Sequence, residues 1–350
     1  MKKLLILLLV IPICSFAGGG KGDGTGFPSK QWFIGFGNSP IFTGLRFNFK
    51  DRDVEKVNGM SFTMWQPKND DGEGAVNGVS LGLPLAGGTA ERNGLNLGLA
   101  GISANQNLNG LNVGGFGAGA GNNVNGVNIG GIGVGSGGSL NGLNVGGIGV
   151  GSGDDITGFN VAAIGVGAGG DLRGISFAGI GAGAGGDVKG VNVALVGMGA
   201  GDDMTGINFG GVGMGAGGTL KGINIGGVGV GAGDEILGVN VAIVGVGAPE
   251  VKGISVAGVV GGDRVTGIAI APAWLKVGEK GDSVEDDTEL KGLAISAFNQ
   301  VNGKNNGLLI GLFNIAKGGK GFQIGILNHY PNNPKGLRWL PIFNTNFNKE

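Results

Sequence analysis

Carboxylate side chains recur every sixteen residues along the centre of the chain, and they are the residues best suited to bind a metal. The series is Asp155, Asp171, Asp187 and Asp203. Calcium prefers oxygen ligands, so stacked copies of one carboxylate position could share calcium ions. A cation follows two residues later in several units, as in Arg173 and Lys189, and could neutralise the carboxylates directly. The pattern therefore favours a solvated, charge-paired edge over a calcium site.

Asparagine also recurs every sixteen residues, and the series is interrupted once. The series is Asn112, Asn128, Asn144, Asn160, Asn192, Asn208, Asn224 and Asn240. Stacked identical amides can hydrogen-bond to one another along a ladder, as they do in cross-β assemblies. We expect these residues to form a structural ladder rather than a ligand-binding site.

Residues for the common kinds of catalysis are missing from the sequence. His329 is the only histidine and Cys14 the only cysteine, so a His/Cys metal cluster cannot form. No serine lies in a motif typical of a Ser-His-Asp triad. GxGxxG-like strings such as 165–170 lack the strand-turn-helix context that dinucleotide binding requires. We predict that the protein is not an enzyme and has no catalytic residues and no cofactor-binding residues.

Charge and composition narrow the class of protein further. The 24 basic and 25 acidic residues nearly cancel, which argues against nucleic-acid binding, because that depends on clustered Lys and Arg. Glycine supplies 85 of 350 residues, but hydrophobic residues reach 41% and no Gly-X-Y triplet repeats. This composition favours an ordered repetitive structure over disorder or collagen.

A sixteen-residue unit organises the chain, and we number its positions from the glycine before each apolar-Asn pair. These glycines are Gly110, Gly126, Gly142, Gly158, Gly174, Gly190, Gly206, Gly222 and Gly238. Apolar residues occupy positions 2 and 4 (Leu143, Val145), positions 7 and 9 (Ile148, Val150), and position 15. Alternation with period two predicts β-strands. The odd step from position 4 to position 7 predicts a corner or bulge at positions 5 and 6.

Two all-β architectures fit this unit. In a Gly-rich β-solenoid with coils of about sixteen residues, the corner turns both apolar runs inward and parallel coils stack. In an antiparallel outer-membrane β-barrel, each unit is one bulged strand and a turn. Barrel strands alternate in direction, so their turns should repeat every two units, and the Gly-Asp turns do not. The regular region also has no Trp or Tyr for aromatic girdles. The solenoid is the favoured prediction and the barrel the alternative.

The N-terminus has the pattern of a secretory signal peptide. Lys2 and Lys3 precede an apolar run, and small residues follow it, so cleavage is expected after Ala17. Lipidation at Cys14 is an alternative, but Ile13 stands where a lipoprotein signal has a small residue.

The C-terminal units carry a second pattern. Residues 321–328 read GFQIGILN and residues 307–314 read GLLIGLFN. They resemble bacterial surface-repeat proteins, described from spirochaetes and other Gram-negative bacteria, whose units run Gly-aliphatic-Gln-aliphatic-Gly-aliphatic-aliphatic-Asn. The resemblance covers residues 290–347 and implies an exported cell-envelope protein without an established biochemical activity. The central units depart from it.

These patterns predict an organisation and a function. The expected segments are a signal peptide (1–17), an N-terminal cap (18–43), irregular β-repeats (44–109), regular repeats (110–252), shortened repeats (253–275), a charged loop (276–291), and surface-type repeats with a cap (292–350). We expect an exported structural or interaction protein at the cell surface or outer membrane of a Gram-negative bacterium. Its partners would be envelope components or further copies of itself. The alternatives are a barrel serving as pore or anchor, and a calcium-dependent adhesin.

Overall fold

A computed structural model describes residues 24–67, 72–279 and 288–347, and every helix or strand in these ranges is a β-strand. The expected signal peptide and Cys14 lie outside the described residues. The chain divides into two compact units, Met1–Ala178 and Gly179–Glu350.

The first unit contains seventeen strands. They are β1 Thr25–Ser29, β2 Trp32–Phe36, β3 Ile41–Lys50, β4 Lys56–Trp65, β5 Ala75–Gly82, β6 Leu85–Ala86, β7 Glu91–Gly98, β8 Gly101–Ala104, β9 Asn107–Gly114, β10 Gly117–Ala120, β11 Asn123–Gly130, β12 Gly133–Ser136, β13 Leu140–Gly146, β14 Gly149–Ser152, β15 Ile156–Ala162, β16 Gly165–Ala168 and β17 Leu172–Ala178.

The second unit contains sixteen strands in its described residues. They are β18 Gly181–Ala184, β19 Val188–Ala194, β20 Gly197–Ala200, β21 Met204–Gly210, β22 Gly213–Ala216, β23 Leu220–Gly226, β24 Gly229–Ala232, β25 Glu235–Ala242, β26 Gly245–Gly247, β27 Glu250–Val256, β28 Val259–Gly262, β29 Arg264–Val277, β30 Glu289–Asn305, β31 Leu308–Gly318, β32 Phe322–His329 and β33 Trp339–Thr345. Residues at both ends of the expected 276–291 loop therefore belong to β29 and β30.

Each regular coil of the first unit consists of one long and one short strand. The long strands pair in parallel and in register, so that Gly126 lies opposite Gly142 and Asn128 opposite Asn144. The short strands pair only with other short strands, as Gly133 does with Gly149. The fold is thus a β-solenoid with sixteen-residue coils, as predicted. Parallel pairing rules out the alternative of an antiparallel barrel, since barrel strands would alternate in direction.

The second unit follows the same plan and changes toward its C-terminal end. Strands β19, β21, β23, β25 and β27 form its long-strand sheet. The short strands are β18, β20, β22, β24, β26 and β28. Strand β29 spans both sheets, because its first part pairs with β27 and its last part with β28. Strands β30, β31 and β32 continue the parallel stack, and β33 closes it by antiparallel pairing with β32.

The expected corner lies between the long and the short strand. Strand β13 ends at Gly146 and β14 begins at Gly149, and the two strands belong to different ladders. The chain therefore turns a corner instead of reversing in a hairpin, but the corner lies at positions 6 and 7, one residue later than predicted, because position 5 still belongs to the long strand.

The interior contains residues at positions 15, 3, 5 and 9. In one coil these include Ile156 and Asn144, each fully buried, and Val150 at 2% exposure. The prediction that both apolar runs point inward is wrong for positions 2, 4 and 7, since Leu111, Ile129 and Ile148 at these positions are 41%, 37% and 49% exposed. The reason is the two-residue period of a strand: once Asn at position 3 faces inward, positions 2 and 4 must face outward.

Glycine at position 1 is required by the backbone. Gly142 has a φ of +111°, and a Cβ added there would lie 2.0 Å from the carbonyl oxygen of Gly126 in the preceding coil. An L-residue would therefore be strained and would also clash. This column of glycines lets the long strands stack at a bend in each coil.

Candidate functional site

The position-3 asparagines of the first unit form a buried hydrogen-bonded column. Asn112, Asn128, Asn144 and Asn160 lie on β9, β11, β13 and β15, and all are fully buried. The first three Nδ2 groups donate to the Oδ1 in the next coil, over 2.6 Å from Asn112 and 2.8 Å from Asn128 and from Asn144, and Asn160 donates to the Ser176 hydroxyl over 3.3 Å. Asn96 extends the column by donating to Asn112 over 2.7 Å. Because the amides satisfy one another, the column avoids the cost of burying unpaired polar groups.

A second column runs through the other unit. Asn192, Asn208, Asn224 and Asn240 lie on β19, β21, β23 and β25, with successive bonds of 3.2, 3.0 and 2.9 Å. Among the described residues, Oδ1 of Asn192 and Nδ2 of Asn240 have no hydrogen-bond partner. Ser255 occupies position 3 in the coil after Asn240, and its hydroxyl is also without a partner. The column therefore ends with an open acceptor on one side and an open donor on the other.

An outer asparagine ladder in the first unit was not predicted. Its members are Asn58, Asn77, Asn93, Asn109, Asn125 and Asn141, each immediately before a position-1 glycine. Each Nδ2 donates to the Oδ1 of the preceding coil, over distances of 2.7 to 3.1 Å. The donors point in the direction opposite to those of the inner ladder. The repeated Asn-Gly pair in six successive coils was the signal that could have revealed it.

The predicted carboxylates of the first unit link one coil to the next. Oδ1 of Asp155 accepts the backbone N–H of Asp171 over 2.8 Å, and Arg173 forms ion pairs with both side chains. The pKa of Asp155 lies below its ordinary value, first because of the Asp171 N–H and then because of the Arg173 guanidinium. These groups are substantially exposed, so the ion pairs contribute little stability.

The carboxylates of the second unit make the same backbone contact. Oδ1 of Asp187 accepts the N–H of Asp203 over 3.0 Å, and Oδ1 of Asp203 accepts the N–H of Thr219 over 2.7 Å. Lys189 pairs with Asp187 over 2.6 Å. The edge is therefore more than a solvated turn, because its carboxylates hydrogen-bond to the backbone of the following coil.

The structure gives no separate support for calcium at these carboxylates. Within residues 24–67, 72–279 and 288–347, no group of three or more His, Cys, Asp or Glu side chains is placed to hold a metal ion. The carboxylates instead accept backbone N–H groups and pair with neighbouring cations.

His329 is part of the C-terminal packing. Its ring stacks on Trp339 with centroids 3.9 Å apart. Burial, followed by the charge of Arg338, lowers its pKa below the ordinary value. This environment stabilises the neutral ring, which packs as an aromatic group.

A buried ionic network near the N-terminal end of the first unit was also missed. Asp51 accepts hydrogen bonds from Arg46 and from Arg92, the latter over 2.7 Å, and all three side chains are fully buried. Thr63 donates to the same carboxylate over 3.1 Å. Burial alone would raise the pKa of Asp51, but the two guanidinium groups outweigh it, and the pKa is lowered. Loss of Asp51 would leave two buried guanidinium groups without their shared carboxylate.

Apolar side chains cover the outside of the first unit's long-strand sheet and the adjoining corner. At positions 2 and 4 they include Leu111, Ile129, Phe159, Ile175 and Phe177, and at position 7 they include Phe116, Ile132, Ile148 and Ile164. Each of them is at least 37% exposed. Large contiguous apolar patches of this kind mark interaction sites on soluble proteins.

The second unit has equivalent columns. At positions 2 and 4 they include Ile207, Phe209, Ile223, Ile225, Val239, Ile254 and Ile268, and at position 7 they include Val196, Val212, Val228 and Val244. Toward the C-terminal end, β30, β31 and β32 line a shallow groove of about 560 Å³. Ile295, Ile310, Ile324 and Ile326 line it together with Ile342.

The outer face of the short-strand sheets carries almost no side chains. Positions 8 and 10 are glycine in most coils, as in Gly197 and Gly199. A Cβ added at either of these two residues, or at Gly167 in the first unit, would meet nothing within 4 Å. The packing within each unit therefore does not demand glycine at these three residues, whereas a Cβ at Gly119 or Gly183 would lie 2.9 or 3.0 Å from a backbone carbonyl oxygen.

The surface-type motif of the C-terminal units has a structural explanation. Asn314 and Asn328, the last residues of the two matching stretches, continue an amide column that starts at Asn299, with bonds of 2.7 Å at both steps. A Cβ at Gly325 would lie 1.9 Å from the carbonyl oxygen of Gly311. The glycine and asparagine of the motif are thus residues that stack coils.

Comparison of the chain with protein-family models, curated proteins and solved structures finds no match. No helix long and apolar enough to cross a bilayer occurs in the part of the chain that the structure describes.

Proposed function

We propose that this protein is an exported structural protein of a Gram-negative cell envelope that presents a repetitive β surface for association with envelope components or with itself. The observation that carries the proposal is the outward orientation of the apolar residues at positions 2, 4 and 7. A solenoid that binds nothing would be expected to bury such residues or replace them with polar ones.

Two features of the sequence support the location. Residues 1–17 have the pattern of a secretory signal peptide. The stretch from Gly321 to Asn328 resembles the repeats of bacterial surface proteins. The inner amide columns are a framework that holds the coils in register while the outer residues remain available for contact.

Cell fractionation tests the proposal. A C-terminally tagged chain is produced in a Gram-negative host and compared with a double variant, Leu7→Arg with Leu8→Arg, that interrupts the apolar run of the signal. We expect the unaltered chain in the envelope fraction with its mature N-terminus at Gly18, and the variant in the cytoplasm with residues 1–17 attached. Recovery of both proteins in the cytoplasm would overturn the proposal. Carbonate and urea washes then report whether the chain is held peripherally.

A further inference from the structure

The outer face of the second unit's long-strand sheet has the properties of an interface. We call it the apolar face and define it by positions 2 and 4 of six consecutive coils, beginning at Gly190, Gly206, Gly222, Gly238, Gly253 and Gly267. All twelve of these side chains are Val, Ile or Phe. The most exposed, Ile207, is 49% exposed, and Ile223 is 43% exposed.

The area of the apolar face matches what a stable complex needs. Seven of the twelve are at least 37% exposed and the other five are partly buried, so together they present on the order of 500 Å² of apolar surface, near the upper end of the largest patch on a typical monomer. A standard protein interface buries about 800 Å² on each partner. The apolar face is therefore large enough to form most of one side of such an interface.

The regular spacing of the face indicates which partner fits it. Its two columns repeat at the distance between neighbouring parallel strands, about 4.8 Å. Side chains of an opposing surface can pack between the position-2 and position-4 side chains of every coil only if that surface has the same repeat distance. Such packing occurs in the dry interfaces between stacked sheets. A second copy of this chain has that repeat along all six coils.

Charge and residue type distinguish this partner from a lipid surface. Two of the three lysines that directly precede the position-1 glycines of the face form ion pairs, Lys189 with Asp187 and Lys252 with Glu235 and Glu250, and the third is Lys221. Few positive charges are therefore available for anionic head groups. The face also has no Trp or Tyr, the residues enriched at membrane-water interfaces.

We propose that the apolar face pairs with the same face of a second copy, so that two sheets pack front to front about a two-fold axis. Such an isologous contact buries the same residues on both chains. The inference rests on the proposed function and identifies the partner as a second copy of the chain, so that the envelope protein forms at least a dimer.

The test uses the full processed chain purified from envelopes, with mass measured by sedimentation equilibrium. Ile207→Lys with Ile223→Lys places two charges on the apolar face. Gly199→Lys with Gly215→Lys places the same charges on the bare short-strand face, where added side chains meet open space or ordinary contacts. We expect a dimer for the unaltered chain and for the glycine variant, and at least a hundredfold weaker association for the isoleucine variant. Circular dichroism and urea unfolding establish that each variant is folded.

A spin label locates the contact independently of stability. Cys14 is the only cysteine and lies in the expected signal peptide, so Ile223→Cys gives one labelling site in the processed chain. Labels at Ile223 should lie within about 20 Å of each other, the range of two sheets packed roughly 10 Å apart with a label on each.

Three results would overturn the inference: a monomeric unaltered chain, dissociation only in the glycine variant, or flotation of a monomer with phosphatidylglycerol vesicles through Ile207 and Ile223. These outcomes are separate from cell fractionation. A dimer that stays in the cytoplasm refutes the proposed location, whereas a monomer in the envelope refutes the interface.

Discussion

Removal of one amide from the middle of the inner ladder should destabilise the first unit far more than removal of the terminal amide. Asn144 accepts a hydrogen bond from Asn128 and donates one to Asn160, both over 2.8 Å, and all three side chains are fully buried. Asn144→Ala leaves one donor and one acceptor buried without these partners. Each such group costs about 1–3 kcal/mol, so the expected loss of unfolding free energy is about 2–6 kcal/mol.

Asn96 supplies the matched control. Its Nδ2 donates to Asn112 over 2.7 Å, but its own Oδ1 has no partner among the described residues. Asn96→Ala therefore strands one acceptor and removes an oxygen that was already unsatisfied. The expected loss is about 1–3 kcal/mol, or roughly half of that for Asn144→Ala.

Native-state hydrogen exchange is the suitable assay, because stacked coils can open locally and a single unfolding midpoint can then mislead. Protection factors of amides in β11, β13 and β15 give the local free energy of opening for each variant. Equal losses for Asn144→Ala and Asn96→Ala, or a loss below about 0.5 kcal/mol at Asn144, would refute the idea that mutual hydrogen bonding makes the buried column tolerable.

Three other predictions follow from the same geometry. Ser255→Asn should give the open Nδ2 of Asn240 an acceptor but place a new buried donor opposite Ala269, so the unfolding free energy should change by less than about 0.5 kcal/mol; a larger shift of the urea midpoint would count against this reasoning. Gly142→Ala should lose about 1–3 kcal/mol from its positive φ, whereas Gly167→Ala should gain about 0.5 kcal/mol; similar urea midpoints would contradict this. The lowered pKa of Asp51 means that its stabilisation is present above the ordinary value of 3.8 and is lost as the pH falls through the folded value. Asp51→Asn should therefore lower the urea midpoint at pH 7 and weaken its dependence on pH below 4; an unchanged acid profile would show that the network does not govern acid stability.

The sequence was sufficient to predict the strands, the length of the coil and the corner. Alternation of apolar residues predicted the strands, and the Gly-Asp turns, which do not alternate over two units, favoured parallel stacking over a barrel. Both predictions succeeded because they depend on periodicity, which neighbouring coils impose on one another.

The direction of the side chains could have been predicted but was not. Positions 2 and 3 of one strand must face opposite sides, so a buried amide ladder and an inward Leu143 exclude each other. The general preference for burying apolar residues favoured an inward orientation for the side chain of Leu143. The structure buries Asn144 instead, because a stacked amide finds its partners in the coils on either side.

The ionic network lay beyond what sequence reasoning could reach. Arg92 occupies position 15, where neighbouring coils have Leu108 and Val124. Its partner Asp51 is 41 residues away. No periodic signal connects a single charged residue in an apolar column with a loop two coils earlier, so only the three-dimensional structure pairs them.

The long strand of each coil buries an amide and exposes apolar side chains, and this arrangement connects the folding of the chain with its proposed function. A slip of one residue against the preceding long strand would place Asn144 opposite Val127 or Ile129 and expose the amide column, which makes register strongly specified. Buried polar groups that fix register are the best-supported use of such groups. Since the amides and the position-15 residues together define the interior, the apolar residues at positions 2 and 4 are not needed to hold a coil together. Their recurrence in coil after coil is what the proposed contact with a second copy requires.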